Sequence, residues 1–320
     1  MKKLRYGLIG CGDISRKRVA PAIRDLEICD LVAVNRAHFE HAELFAKEFG
    51  ARKWYETWQE LINDNEIDVV YIATPHNVHK EQTIEAAKTG KHVLCEKPLA
   101  LNAEDCKQMI EACTENNVKL GVAYYRHYYQ SINRIKQIIE KGEIGEVSLV
   151  QINAFEQYNF KPDDPKYWYT IGKYSGGGPM MGAGCHRVEV LMNILGAVTD
   201  VESKLDCSSG AHELDNYGAA ILHFASGALG VLCVSRSVYD SADTVDIYGS
   251  EGSIKVPILN EGKMYVRTRE GERIEELPPH ANFHVPLIED FTLAVLENRE
   301  PEVTGEIGLA VQEVLDRIYK

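Results

Sequence analysis

The sequence has no stripe of basic residues. Its formal net charge is −13, and its lysines and arginines are scattered, with Lys2-Lys3 and Arg16-Lys17-Arg18 as short runs. Nucleic-acid binders concentrate positive charge on one face, so a phosphate-backbone partner is excluded. An acidic surface suits a solvated cytoplasmic protein. Long apolar runs are missing too. The first, Leu4 to Ile9, has only the length of a strand, too short for a membrane helix or for the core of a leader peptide. Neither a membrane partner nor a cleavable leader is expected. There is no CxxC pair and no tight Cys/His cluster, so no metal site is expected. The eight cysteines (Cys11, Cys29, Cys95, Cys106, Cys113, Cys185, Cys207 and Cys233) sit mostly in apolar runs and read as buried, reduced thiols. Internal repeats and low-complexity linkers are absent as well.

What is there is an ordinary globular composition, 45% apolar and 26% charged, over 320 residues, a length that suits two domains. The N-terminal part alternates strand and helix. Strands are predicted at Leu4–Gly10, Leu31–Val34, Ile67–Ala73, His92–Cys95 and Val118–Ala123. Helices are predicted at Ile14–Leu26, His38–Phe49, Glu81–Thr89 and from Asn102 to about Asn116, with Gly50 and Gly90 closing two of them. Thr57 and Glu60 form a capping-box pattern that opens a further short helix. This rhythm means βαβ crossovers and a parallel sheet.

After residue 123 the pattern changes. A helix at Ser131–Ile139 and a long strand at Val147–Phe155 precede an irregular stretch, Tyr158 to Pro179. A helix at Cys185–Leu195 follows. Between Val198 and Ile274 the pattern is strand and turn, with strands at Ala219–Phe224, Leu229–Ser235, Thr244–Tyr248, Ser253–Val256 and Met264–Arg267, as in an antiparallel or mixed sheet. Helices at about Val285–Leu296 and Glu306–Ile318 close the chain. The expected fold class is α/β: a dinucleotide-binding Rossmann domain over 1–123, then an α/β domain over 124–320 whose last helices can pack back on the first domain.

Gly10-Cys11-Gly12-Asp13-Ile14-Ser15 lies where the first strand meets a helix. It reads G-x-G-x-x-S, close to the dinucleotide fingerprint. Gly10 permits the tight turn, Gly12 lets the backbone approach a pyrophosphate, and the helix N-terminus offers N–H groups and a positive dipole end. Ser15 is small enough for helix and strand to pack. On its own such a motif is weak evidence and matches an ordinary glycine turn; its place between a strand and a helix in a βαβ series gives it weight. The second strand ends in Val34-Asn35-Arg36, without the acid that usually holds the ribose hydroxyls of NAD. A guanidinium binds a 2′-phosphate and stacks on adenine, so Arg36 favours NADP(H), with NAD(H) possible and a solvated loop arginine as the bland alternative.

Three further segments sit where ligands bind in open α/β sheets or at a helix start. They are Thr74-Pro75-His76-Asn77-Val78-His79, Glu96-Lys97-Pro98, and the glycine-dense loop Gly176 to Gly184 running into His186. Each alone fits a surface loop or a structural histidine equally well. Together, in this order and over essentially the whole chain, they resemble the Gfo/Idh/MocA family, named for glucose–fructose oxidoreductase and inositol dehydrogenase.

That resemblance implies a Rossmann domain followed by a domain with an open, mostly antiparallel sheet that commonly forms the subunit interface, hence a homodimer or homotetramer. It implies that Lys97 is the catalytic lysine, near the nicotinamide ribose, that Pro98 shapes its turn, and that His186 is the acid/base. It implies that Thr74, Pro75 and His79 belong to the cofactor pocket, with Gly10, Gly12, Asp13, Ile14, Asn35, Arg36 and Glu96, and that Tyr125 and Arg126 face substrate with His186; Trp168 is a further substrate candidate as an aromatic that can stack on a sugar face. The sequence departs from the family at Gly182, four residues before His186, where many members carry Asp. Glu189, one turn after His186, is placed to orient it.

The activity implied is hydride transfer between a nicotinamide and a secondary alcohol or ketone of a sugar, sugar derivative or cyclitol. Aromatics such as Tyr124, Tyr128, Tyr129, Phe155, Tyr158, Phe160, Tyr167 and Tyr169 suit sugar stacking, core packing or a subunit interface alike. Two rivals remain: a glycoside-cleaving enzyme with tightly held NAD, and a cofactor-binding regulator without turnover.

Overall fold

The structure, a computed structural model, describes residues 3–158, 160–206 and 214–320. Cys207 lies outside them. The seven other cysteines are free, and six of them are buried. The chain divides into two compact units, Met1–Tyr125 with Ala281–Gln312, and Arg126–His280 with Glu313–Lys320.

The first unit is built on six parallel strands, β1 (Leu4–Ile9), β2 (Cys29–Asn35), β3 (Lys53–Tyr55), β4 (Val69–Ile72), β5 (His92–Cys95) and β6 (Leu120–Val122), in the order β3-β2-β1-β4-β5-β6. Helices connect them: α1 (Ala20–Asp25), α2 (Phe39–Phe49), α3 (Trp58–Ile62), α4 (His79–Lys88) and α5 (Ala103–Glu115). All four residues of β4 are buried, as expected of a parallel strand covered on both faces. The helix signals read from the sequence hold. Thr57 and Glu60 make a reciprocal capping box at α3, and the Asn102 side chain accepts from Asp105 N at α5. Gly50 ends α2 in the left-handed conformation, φ +78°. Three details differ. A five-residue π-helical turn, Ser15–Val19, leads into α1. The short edge strand β3 was not expected. A turn of 3₁₀ helix, His76–Val78, places the start of α4 two residues earlier than Glu81.

The second unit contains α6 (Gln130–Glu140), α7 (Gly172–Ser175), α8 (Cys185–Leu195) and eight strands: β7 (Val147–Phe155), β8 (Val198–Asp206), β9 (Tyr217–Phe224), β10 (Leu229–Ser235), β11 (Ala242–Gly249), β12 (Gly252–Val256), β13 (Lys263–Thr268) and β14 (Gly271–Glu276). They form one sheet, β14-β13-β12-β11-β7-β10-β9-β8, in which only β7 and β10 run parallel. Its core face carries Val150, Ile152, Leu222, Leu232 and Val245, all buried.

Two helices close the chain, α9 (His284–Glu297) and α10 (Gly305–Ile318). α9 packs on the parallel sheet: the Tyr6 hydroxyl shares a 2.7 Å hydrogen bond with Thr292 Oγ1. A Cβ at Gly121 would come within 2.6 Å of the Phe291 ring, so β6 needs glycine there for α9 to fit. Among the described residues no helix is long and apolar enough to cross a membrane.

Candidate active site

In the first unit, strand order reverses between β1 and β4, and the glycine turn sits at that point. Gly10 has φ +94°, and a Cβ there would lie 2.5 Å from the Ala73 carbonyl oxygen, so only glycine fits. Its N–H donates to Asn35 O at 3.0 Å, and Ala73 N donates to Ile9 O at 2.8 Å, tying the carboxyl ends of β1, β2 and β4 together. Gly12 is different. It is exposed, and a Cβ there would meet nothing within 4 Å. No packing demands glycine at this position; a side chain would instead fill the open space over the first helical turn, where a phosphate approaches backbone N–H groups. That cradle fits a dinucleotide. Ser15 Oγ donates to Gly10 O at 2.5 Å and packs the helix against the strand. Ile14 is half-buried, and Asp13 is exposed and pairs with Lys17 at 3.0 Å.

Asn35 is buried, and its amide donates to the carbonyls of Tyr55 and Glu56 at 3.0 and 3.1 Å. The amide therefore ties the end of β2 to the last residue of β3 and to the residue after it. Arg36, next in the chain, is half-buried and makes no hydrogen bond or ion pair among the described residues. It lies close to the turn: burial pushes the Cys11 thiol up to about 12, and the Arg36 and Arg16 guanidinium groups act against that rise.

The Thr74–His79 segment leaves the end of β4. Pro75 is half-buried, and Thr74 Oγ1 donates to Gln82 Oε1 at 2.7 Å. His79 departs from its expected place on a pocket wall. It is fully buried; Nε2 lies 3.0 Å from Thr74 O, and Nδ1 lies 3.1 and 3.2 Å from the carbonyls of Pro98 and Leu99. The ring staples the loop after β4 to the loop after β5. Burial lowers its pKa, although those carbonyls and the Glu96 charge act the other way.

Lys97 is half-buried just beyond β5, and its peptide with Pro98 is cis. Glu96 is turned inward. It accepts from Tyr71 OH at 2.9 Å and from Lys97 N at 3.3 Å, and His284 Nε2 lies 3.3 Å away. Burial alone would raise the Glu96 carboxyl. The His284 hydrogen bond and charge, then Lys97 and Tyr71, outweigh it and hold the group below the ordinary carboxylate value. His284 opens α9, nearly two hundred positions further on, and no motif marks it. Tyr125 stacks on Phe283 at 5.7 Å and tilts against His284 at 5.1 Å. Arg18 sits 4.4 Å over the other ring of that cluster, Phe283.

In the second unit, the glycine loop is clamped by one carboxylate. Asp215 Oδ1 accepts from Gly178 N at 2.6 Å and from Tyr319 OH at 2.7 Å, and Oδ2 accepts from Met180 N at 2.9 Å. Tyr319 OH also accepts from Met181 N at 3.0 Å. Side chains at Gly177 and Gly178 would collide with Tyr319 and with the Asp215 backbone, which gives the glycine run a packing reason. A π-helical turn, Met180–Gly184, then delivers α8 with His186, which is 4% exposed. A Cβ at Gly182 would meet nothing within 4 Å.

Glu189 does not orient His186. Its Oε1 lies 2.7 Å from His127 Nδ1, and Oε2 has no hydrogen-bond partner among the described residues. His127, in the 3₁₀ turn Tyr125–Tyr128, is a residue that no sequence signal marked. Arg126 is buried. Trp168 is half-buried and stacks on Tyr169 at 3.8 Å, so one of its faces is taken by protein.

A parallel sheet of this order with a glycine turn at its switch point is the architecture of a nicotinamide-dinucleotide-binding oxidoreductase. The chain belongs to the GFO/IDH/MocA oxidoreductase family: the family's NAD-binding Rossmann-fold model matches residues 4–124, and its C-terminal domain model matches residues 132–255. It is 28% identical over 314 residues to the 1,5-anhydro-D-fructose reductase of Ensifer adhaerens, covering 95% of this chain and 92% of that one. It is 27% identical over 317 residues to the myo-inositol 2-dehydrogenase of Thermotoga maritima, with the same two coverages. Among solved structures, the WlbA dehydrogenase of Bordetella pertussis, in complex with NADH and UDP-GlcNAcA, superposes with a TM-score of 0.86 at 28% identity, over 99% of this chain and 96% of that one.

Proposed function

We propose that this protein is a dehydrogenase or reductase of a sugar, sugar derivative or cyclitol, acting at a secondary alcohol or its ketone. The observation that carries this reading is the Glu96-Lys97-Pro98 turn, at the carboxyl end of a strand two places from the glycine turn, with a buried glutamate network beneath it. The relatives named above act on an anhydro sugar and a cyclitol. A bound nicotinamide supplies the hydride acceptor or donor. The turn from Gly10 to Ile14 binds its pyrophosphate. Thr74 and Pro75 line its pocket, while His79 and Glu96 act from beneath by fixing the two loops. Lys97 donates a hydrogen bond to the reacting oxygen and stabilises negative charge developing there. His186 exchanges the proton of that oxygen, a contribution of roughly 10²–10⁴-fold. Tyr125, Arg126 and Trp168 shape the substrate side. In an assay with NADP and NAD against a panel of sugars and cyclitols, followed at the reduced-nicotinamide absorbance, at least one pair turns over. Failure of every pair, with no change in NADPH fluorescence on mixing, overturns the reading.

We infer that the preferred cofactor is NADP(H). Arg36 stands unpaired among the described residues beside the phosphate turn, and no acid ends β2 to repel a 2′-phosphate. Removing a charge-assisted contact costs about 1.5–3 kcal/mol, so Arg36→Ala lowers the NADP-over-NAD ratio of kcat/KM by about 10- to 100-fold. An unchanged ratio removes the basis for the preference.

We also infer a homo-oligomer assembled through the second unit's sheet, whose outer face exposes Tyr217, Ile221, Leu229 and Tyr265. The seven free thiols support a reducing, cytoplasmic setting.

A further inference from the structure

We propose that His127, held by Glu189, is a substrate-binding residue whose Nε2 accepts a hydrogen bond from a hydroxyl of the polyol, beside the hydroxyl served by His186. The inference rests on the reading of the protein as a polyol oxidoreductase and deepens it by naming a specificity-determining side chain.

The geometry starts at the carboxylate. Glu189 Oε1 lies 2.7 Å from His127 Nδ1. A carboxylate only accepts, so Nδ1 carries the hydrogen; in the neutral ring Nε2 is then a lone pair. Nε2 makes no hydrogen bond among the described residues, and the side chain is 15% exposed, enough to meet a ligand at its edge. The carboxylate itself is 1% exposed, and its second oxygen is buried with no partner. Burial pushes its pKa up, against the His127 hydrogen bond and charge and the charges of Arg126 and Lys136. A buried carboxylate with a single partner does little for stability and much for the orientation of that partner.

Glu189 and His186 are three residues apart on α8, so their Cβ atoms lie about 5–6 Å apart on one face. The carboxylate that holds the His127 ring therefore rises from the face of α8 that carries His186. On the other side of His186, one turn earlier, Gly182 offers neither an acceptor nor any bulk, and the space a side chain would take there is open. A carboxylate at that position would accept from a substrate hydroxyl. An Nδ1–H imidazole presents the same kind of acceptor from the opposite direction. The positions of acceptor and open space then select which hydroxyl flanks the reacting one.

The test uses isosteric replacements. Asn at 127 keeps a donor to Glu189, in the place of Nδ1, and deletes the Nε2 acceptor; Gln reaches to where Nε2 was. With the best substrate of the panel, His127→Asn raises KM about tenfold or more, the loss of one hydrogen bond. Its kcat stays within about threefold and its melting temperature is unchanged, and His127→Gln restores part of the affinity. A merely structural pair gives the reverse order, with Asn tolerated and Gln disruptive, and that result overturns the proposal. The second readout needs no turnover. In ¹⁵N-histidine-labelled protein without cofactor, His127 is expected as the Nδ1–H tautomer, and added myo-inositol or D-glucose shifts its Nε2 resonance. An Nε2–H tautomer, or an Nε2 resonance indifferent to both polyols at saturating concentration, also overturns it. If wild-type protein turns over no polyol, the functional reading falls on that assay alone, and the resonance decides separately on His127.

Discussion

Two buried glutamates titrate in opposite directions, and the reason is local. Glu96 has three hydrogen-bond partners, His284, Tyr71 and Lys97 N, and the nearby charges of His284 and Lys97, so its folded value lies below the ordinary one even though burial opposes this. Such a carboxyl stabilises the fold above its unfolded pKa, about 4.3, and that contribution is lost as pH falls through the folded value. Glu189 has one donor and deep burial, which raises it. Its folded form holds the proton more tightly than the unfolded chain does. Its contribution is therefore present below about pH 4.3 and is lost as pH rises through the raised folded value. Urea unfolding at pH 4 to 8 checks both. Glu96→Gln is destabilised at pH 7 by about 1–3 kcal/mol and loses part of the acid dependence. Glu189→Gln is as stable as wild type at pH 7, or more so, because Gln still accepts from His127 without a buried charge. The same slopes in both variants contradict the assignment. The first partner of Glu96, His284, shows why this layer was not legible. It lies on a helix near the chain's end, and only the fold brings it to residue 96.

At the level of elements, what could be read was what is local. Gly50, Gly90, Asn102 and the Thr57/Glu60 pair end or begin helices through bonds within a few residues of themselves, and each does so in the structure as the sequence indicates. Strands buried on both faces announced themselves as apolar runs. The two π-helical turns, Ser15–Val19 and Met180–Gly184, left no such mark, since one extra residue in a turn changes no periodicity that a short window resolves. Both lie at helix entries beside candidate site residues. The second is held by Asp215 and by Tyr319, next to the last residue of the sequence. Tyr319→Phe removes the hydroxyl that donates to Asp215 and accepts from Met181 N, at a cost of about 1–3 kcal/mol. The variant should melt lower and lose kcat more than KM, because α8 and His186 follow directly from that turn. A lower melting point with unchanged kcat shows that the clamp serves only stability.

At the scale of the whole molecule, the inferred assembly rests on the outer face of the eight-stranded sheet. Along β9 and β10, buried Ala220, Leu222, Leu232 and Val234 alternate with outward-pointing residues, as in any sheet with one covered face. The outward set should then be polar. It contains instead Tyr217 at 48% exposure, Ile221 at 37% and Leu229 at 36%, with Val231 paired directly opposite Ile221. Tyr265 on β13 is exposed too but lies apart from this patch, with Lys255, Asp246 and Gln151 in the row between it and Val231. Contiguous exposed apolar area of this kind marks an interface, and a self-complementary sheet face closes with twofold symmetry. Placing charge at its centre is the direct test. Wild-type protein at micromolar concentration should elute with the mass of a dimer or tetramer in light-scattering chromatography. The double variant Ile221→Lys, Leu229→Lys should elute as a monomer, with an unchanged far-ultraviolet spectrum because both side chains already face outward. A monomeric wild type sinks the inferred assembly. A variant that stays oligomeric moves the interface to another surface.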